Sequence, residues 1–145
     1  MSHRTFSDIA VGERIDCGTT TVSEDDIIRF GELFDPLAIH TDPDAAAESH
    51  FGGLIASSIH TFALTQPPVV EKFYADSDLI AAGHIEEFRL PAPVRPDDTL
   101  AVTLDVEDKR RSEGNERRGV VTTRRRATVD DRTVLDLRNH TVWER

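Results

Sequence analysis

Hydrophobic and polar positions change their rhythm once along the chain, near residue 79. Before that point the spacing is mostly helical. Residues Glu13 to Val22 are an exception, since Ile15, Cys17, Thr19 and Thr21 alternate and read as a first strand or a pair of short strands. Ser23 then has the chemistry of an N-cap, with Asp25 and Asp26 in the first turn, where the helix dipole favours acids. Ile27, Ile28, Phe30, Leu33 and Phe34 supply the expected buried face, and Asp35-Pro36 ends the helix, because a residue before proline avoids helical angles. Asp42-Pro43 starts a short helix with Asp42 as cap and proline at its first position, continued by Ala45, Ala46 and Ala47.

Gly52-Gly53 breaks the chain again. Leu54, Ile55, Ala56, Ile59, Phe62, Ala63 and Leu64 follow as a helix apolar around most of its circumference, which belongs inside a domain, and Pro67-Pro68 is expected to stop it. Beyond Leu79 the rhythm is that of strands. Ile80 to Leu90 is the first, and Pro91, Pro93 and Pro96 mark an irregular connection. Leu100, Val102, Leu104 and Val106 alternate cleanly, Ser112 to Asn115 form a turn, and Val121, Thr123, Arg125, Ala127 and Val129 share one strand face. Asp130-Asp131 turns into a last strand ending near Trp143. The order predicts one α+β domain over residues 1–145, an antiparallel sheet wrapped around one buried helix.

Length and composition narrow the setting. A chain of 145 residues supports one domain with a real core. No stretch approaches a membrane span and MSHRTFSDIA lacks a signal peptide's apolar run, so the expected compartment is the cytoplasm. Cys17 is the only cysteine, which excludes an internal disulfide and argues against a cysteine-based zinc site. The net charge of −10, with Lys72 and Lys109 the only lysines, argues against a nucleic-acid binder. Such a surface suits either a salt-rich cytoplasm, where screening removes self-repulsion, or an acidic mesophilic proteome.

Candidate chemistry gathers between Phe34 and Leu64. Asp35 and His40 are an acid and an imidazole on connecting backbone, able to hold a water between them. Spacing alone favours a plainer reading, in which Asp35 caps a turn and His40 is a satisfied loop histidine. The start of the apolar helix offers unpaired N–H groups, so Ser57 or Ser58 can meet a carbonyl oxygen that becomes an enolate. Gly52 and Gly53 fit an ordinary turn as well as a hinge. His60 reads as a hydrogen-bonded core residue, and His3, His50, His84 and His140 show no metal-ligand spacing, so no metal is expected. In Arg124-Arg125-Arg126 alternation sends the middle residue to the opposite face, with at least two of the three in solvent beside acids.

Two segments taken together resemble a known family. FDPLAIHTDPDAAAESHFGGLIASSIHT is similar to the MaoC-like dehydratase signature FDPxxxHxDxxxA followed by FGGxIASG. GHIEEFRLPAPVRPDDTL, from Gly83 to Leu100, is similar to the family's downstream G-x-x-x-x-x-R-x-x-x-P-V-x-P-G-D-T-L. The family includes the (R)-specific enoyl-CoA hydratases and has the hotdog fold, a curved antiparallel sheet around a central helix, usually dimerised through the sheets. The resemblance implies reversible addition of water to a trans-2-enoyl thioester, with no cofactor beyond the thioester substrate, carried by CoA or by an acyl carrier protein. It implies Asp35 and His40 as the catalytic dyad and the Ser58 N–H as the oxyanion hole. It also implies a homodimer or higher homo-oligomer whose acyl tunnel involves Phe34, Phe51, Phe62, Gly52, Gly53 and Ser57. Three departures stand out: Ser58 for glycine, Leu37-Ala38 for a polar residue and proline, and Asp97 for glycine. The alternatives on the same fold are an acyl-CoA thioesterase, in which Asp35 directs water to the carbonyl, and a non-catalytic acyl-thioester-binding subunit.

Overall fold

The computed structural model describes residues 2–145. Strand β1 (Arg14–Thr21) leads into helix α1 (Glu24–Phe34), two short helices α2 (Ala38–Thr41) and α3 (Pro43–Ala47), and helix α4 (Ser58–Val69). Strands β2 (Leu79–Arg89), β3 (Thr99–Arg111), β4 (Arg118–Val129) and β5 (Arg132–Glu144) complete the chain. The pairings among these five strands are antiparallel and their order is β1-β3-β4-β5-β2, with α4 lying against β1, β3 and β5. This is the α+β hotdog arrangement that the sequence led us to expect.

Alternation explains the sheet. On β3 Leu100, Val102, Leu104 and Val106 are buried, on β4 Val121, Ala127 and Val129, and on β5 Leu135, Leu137 and Trp143. The opposite face carries ions: Arg14 and Arg126 both meet Asp105, Arg124 meets Asp136, and Arg138 meets Glu107 and Glu87. Arg124 and Arg126 therefore pair with acids as their register predicts, whereas Arg125 is wholly buried.

Four expectations are corrected. Pro67 and Pro68 do not stop α4, which continues through them to Val69 and then as one π turn, Val70–Tyr74. The amide hydrogens that proline lacks would have met the carbonyls of Ala63, which is exposed, and Leu64, which is half-buried, so the helix loses little by their absence. The segment Leu54–Ser57 is not helical; α4 begins at Ser58 with Ser57 as its N-cap. The apolar composition of α4 does not mark its buried side either. His60, Thr61, Thr65, Pro68 and Val69 face inward, while Ile59 is 54% exposed. The face assigned to α1 is also narrower than its periodicity suggests, since Ile27 and Gly31 are buried but Leu33 and Phe34 are exposed.

The loop entering β3 shows why one departure from the family pattern is tolerated. Asp97 adopts φ +69°, a left-handed conformation that glycine takes without strain and that aspartate accepts better than most residues. Its N–H donates to the Val22 carbonyl at 2.7 Å, tying this loop to the end of β1. Asp97→Val should lower unfolding free energy by about 1–2 kcal/mol, whereas Asp97→Gly should change it by less than about 0.5 kcal/mol, both measured by chemical denaturation.

Candidate active site

Each member of the site is placed by a short piece of local structure. Ser23 and Asp26 close a reciprocal capping box at the start of α1, Ser23 Oγ accepting the Asp26 N–H at 3.1 Å. At the other end Asp35 precedes Pro36 and leaves the helix at φ −157°, its N–H still bonded to the Gly31 carbonyl at 2.8 Å. His40 stands not on irregular backbone, as expected, but in the single turn α2, with its N–H on the Leu37 carbonyl at 2.9 Å. Asp42 caps α3 through the N–H groups of Asp44 and Ala45.

The folded chain brings Asp35 and His40 face to face, His40 Nε2 lying 3.5 Å from Asp35 Oδ2. The imidazole side chain is 6% exposed and the carboxylate 26%, so the pair is sheltered but reachable. His40 Nδ1 donates to the Ile55 carbonyl at 2.7 Å. A carbonyl accepts only, so Nδ1 carries hydrogen and the neutral ring presents its lone pair at Nε2. Two acceptors then face each other at a distance too long for a firm bond. A water donating one hydrogen to each satisfies both and keeps its oxygen free to react.

The segment that receives His40 is itself clamped. Ile55 N–H donates to the Ile39 carbonyl at 3.1 Å and Ala56 N–H to the Val94 carbonyl at 2.8 Å. Arg95 Nη2 donates to the Phe51 carbonyl at 2.8 Å. The two sequence motifs therefore meet in space, the later one holding the hinge of the earlier. Ser57 is buried and its Oγ accepts the His60 N–H at 3.1 Å, which spends its hydroxyl on capping α4. Ser58 is the first residue of α4, where a backbone N–H has no helical acceptor, and it does not require positive φ. Serine in place of glycine is thus sterically ordinary here.

The other named residues disperse. Phe51 and Ser58 line one cavity of about 260 Å³ together with Pro91–Val94. Phe62 lines a second cavity of about 670 Å³ between α4 and β2. Phe34 is 64% exposed, Gly52 sits in a turn at φ +69°, and Gly53 lies beside Arg95. His60 stacks on Phe30 at 4.3 Å between centroids, and its buried Nδ1 has no partner among the described residues, so it is a core residue without the hydrogen bond expected of it. Burial pushes the Cys17 thiol up to about 11, away from nucleophilic use. Among the described residues no group of three or more histidine, cysteine or carboxylate side chains is gathered as metal ligands, and no helix is long and apolar enough to cross a membrane.

A family model described as the MaoC like domain matches residues 8–129. The chain belongs to the MaoC-like family. The uncharacterized protein YdeM of Bacillus subtilis is 34% identical over 104 residues, covering 72% of this chain and 74% of YdeM. The crystal structure of a MaoC-like dehydratase from Rhodospirillum rubrum superimposes with a TM-score of 0.87 at 33% identity, over 96% of this chain and 95% of that one. The R-hydratase PhaJ1 from Pseudomonas aeruginosa shares the fold, with a TM-score of 0.75 at 20% identity over 96% of this chain and 84% of that one.

Sequence reasoning missed Gly31, Arg95 and the Ile55 and Val94 carbonyls. Arg95 lies within the second motif at a position the family leaves variable, and backbone acceptors leave no trace in a sequence. Gly31 had only its place one turn before Asp35 as a signal. A Cβ on Gly31 would approach the His40 carbonyl oxygen to 2.9 Å and His40 Cβ to 3.0 Å. Gly31→Ala should therefore lose about 1–3 kcal/mol of stability and shift the His40 imidazole resonances in NMR spectra. His60 gives a pH prediction. Burial, the largest influence on it, lowers its pKa, and the Asp26 carboxylate opposes that in part. The unfolded chain then binds the proton more readily, so stability is full above about pH 6.5 and falls as pH drops below it. In His60→Phe that loss should be smaller, read as the change in melting temperature between pH 7.5 and pH 5.

Proposed function

We propose that this chain is an (R)-specific enoyl-CoA hydratase, adding water reversibly across the double bond of a trans-2-enoyl thioester carried by CoA or a carrier protein. The observation carrying this reading is the Asp35–His40 pair, an acceptor-faced gap of 3.5 Å with the imidazole tautomer fixed from behind. Water held between the two has one hydrogen on the Asp35 carboxylate and one on His40 Nε2. As its oxygen bonds to C3 of the substrate, Asp35 takes its proton and the double-bond electrons move onto the thioester carbonyl as an enolate. The Ser58 N–H meets that oxygen at the dipole-positive end of α4. His40 keeps the water oriented, and the proton that Asp35 took passes by way of His40 Nε2 to C2, giving a 3-hydroxyacyl thioester and restoring both groups.

A homodimer completes the reading. Strand β2 is a sheet edge, and Ile59, Val70, Ile80, Ile85 and Phe88 are exposed beside it and along α4. A second copy would bury those side chains and cover the open ladder, with Phe51 and Phe62 as walls of an acyl path. The compartment proposed is the cytoplasm, and the acidic surface supports work at high salt.

Crotonyl-CoA should lose its conjugated absorbance when mixed with the protein, without release of free thiol, in low or in multimolar KCl. Asp35→Asn and His40→Asn should each reduce turnover by about 100-fold or more while leaving circular dichroism unchanged. Thiol release would instead identify a thioesterase, and binding without turnover a non-catalytic subunit. Size-exclusion chromatography with light scattering should give twice the chain mass.

A further inference from the structure

Two cavities lie side by side along α4. The smaller, about 260 Å³, contains Ser58 and Thr61 and is walled by Leu90–Val94. The larger, about 670 Å³, takes Ile59, Phe62 and Ala63 from the same helix and Ala82 and Ile85 from β2. On the chain that runs out of β2 the boundary between them falls between Ile85 and Leu90. At that boundary Phe88 reaches across to α4 and meets Phe62 edge-on, with ring centroids 5.4 Å apart and planes at 87°. Phe62 is also held by the Arg125 guanidinium, 5.2 Å from its ring centroid.

Phe88 stands on this side of the sheet because β2 carries an extra residue. Ile85 faces α4 across the larger cavity, so strict alternation would turn Glu86 outward, Glu87 inward and Phe88 outward. Instead both acids point outward, Glu86 accepting from His140 Nε2 at 2.7 Å and Glu87 from Arg138. The register agrees: Glu86 pairs with Arg138 and Arg89 with Asp136, three steps on β2 against two on β5. Glu87 takes up the extra residue at φ +54°, a left-handed conformation uncommon outside glycine. Bulges of this kind re-aim a side chain and recur beside active sites.

We infer that Phe88, through its contact with Phe62, is a specificity-determining residue that closes the cavity at Ser58 and restricts this chain to thioesters of short acyl groups. The reaction on those thioesters rests on the hydratase reading; the limit on chain length is a property of the cavity. From Ser58 to Phe62 the helix advances about 6 Å. An extended hydrocarbon advances roughly 1.25 Å per bond, so a chain whose carbonyl oxygen meets the Ser58 N–H reaches Phe62 with about its sixth carbon. A longer chain must displace two packed rings, one of them aimed by a backbone bulge, and overpacking of that kind is costly.

Hydration of trans-2-enoyl-CoAs of four and of ten carbons tests this on the full chain. In the wild-type protein kcat/KM should be about tenfold or more higher for the four-carbon substrate. The ten-to-four ratio should rise by about tenfold in Phe88→Ala, and also in Phe62→Leu, which opens the boundary from the helix and leaves the β2 edge untouched. Equal turnover of both substrates by the wild-type protein overturns the inference, as do folded Phe88→Ala and Phe62→Leu proteins that keep the wild-type ratio. Titration calorimetry with the saturated butanoyl-CoA and decanoyl-CoA reads the limit without any chemistry. Tighter binding of butanoyl-CoA, lost in Phe88→Ala, with turnover of neither enoyl thioester upholds the partition and removes the hydratase reading. Tighter binding of decanoyl-CoA by the wild-type protein overturns the partition whatever the reaction.

Discussion

Helix α4 meets the sheet through hydroxyls as well as through hydrocarbon, since Val69 is fully buried in the core and Phe62 and Leu64 pack against it. Thr61 and Thr65 are buried against it, and Thr65 Oγ1 donates to the Phe62 carbonyl at 2.7 Å while accepting from Arg125. A guanidinium on the inner face of β4 needs oxygen above it, and the helix supplies it from Thr65 and Gln66. Other hydrocarbon of the helix, on Ile59 and Ala63, lines the cavity between α4 and β2.

The dyad depends on a second kind of constraint, in which backbone fixes the chemistry of a side chain. The Ile55 carbonyl decides which nitrogen of His40 bears hydrogen, and the paired bond from Ile55 N–H to Ile39 keeps the two segments in register. Val94 and Arg95 hold the same region from the other side. Orientation is therefore set before any substrate arrives, which limits the reorganisation a reaction would require.

Much of this was legible in the residues, and the parts that were not share a cause. Ser23, Asp42 and Asp35-Pro36 act through local backbone, so the boundaries they mark agree with the structure. The alternation from Leu100 to Val106 and from Val121 to Val129 likewise reports a face directly. Periodicity says which positions share a face, however, and not what that face must satisfy. It placed Arg125 opposite its neighbours but could not show that the residue is buried, nor that α4 would present Thr65 to it. Pro67-Pro68 looked terminal because the rule concerns lost hydrogen bonds, and here the carbonyls left over belong to Ala63, which is exposed, and Leu64, which is half-buried. Gly31 looked like any helical glycine, since its role is a contact made nine residues later.

The strand order has a consequence for how the molecule comes together. Strands β3, β4 and β5 are a meander joined by residues 112–117 and 130–131, whereas β1 reaches β3 only across residues 22–98. β2 must likewise find β5 across both of the intervening strands. Loop closure loses more entropy for these outer pairings than for the meander. The whole helical layer, with Asp35, His40 and Ser58, lies in the chain between β1 and β2. Its geometry is consequently among the last things that folding completes, and an intact dyad certifies a finished molecule where sheet content alone does not.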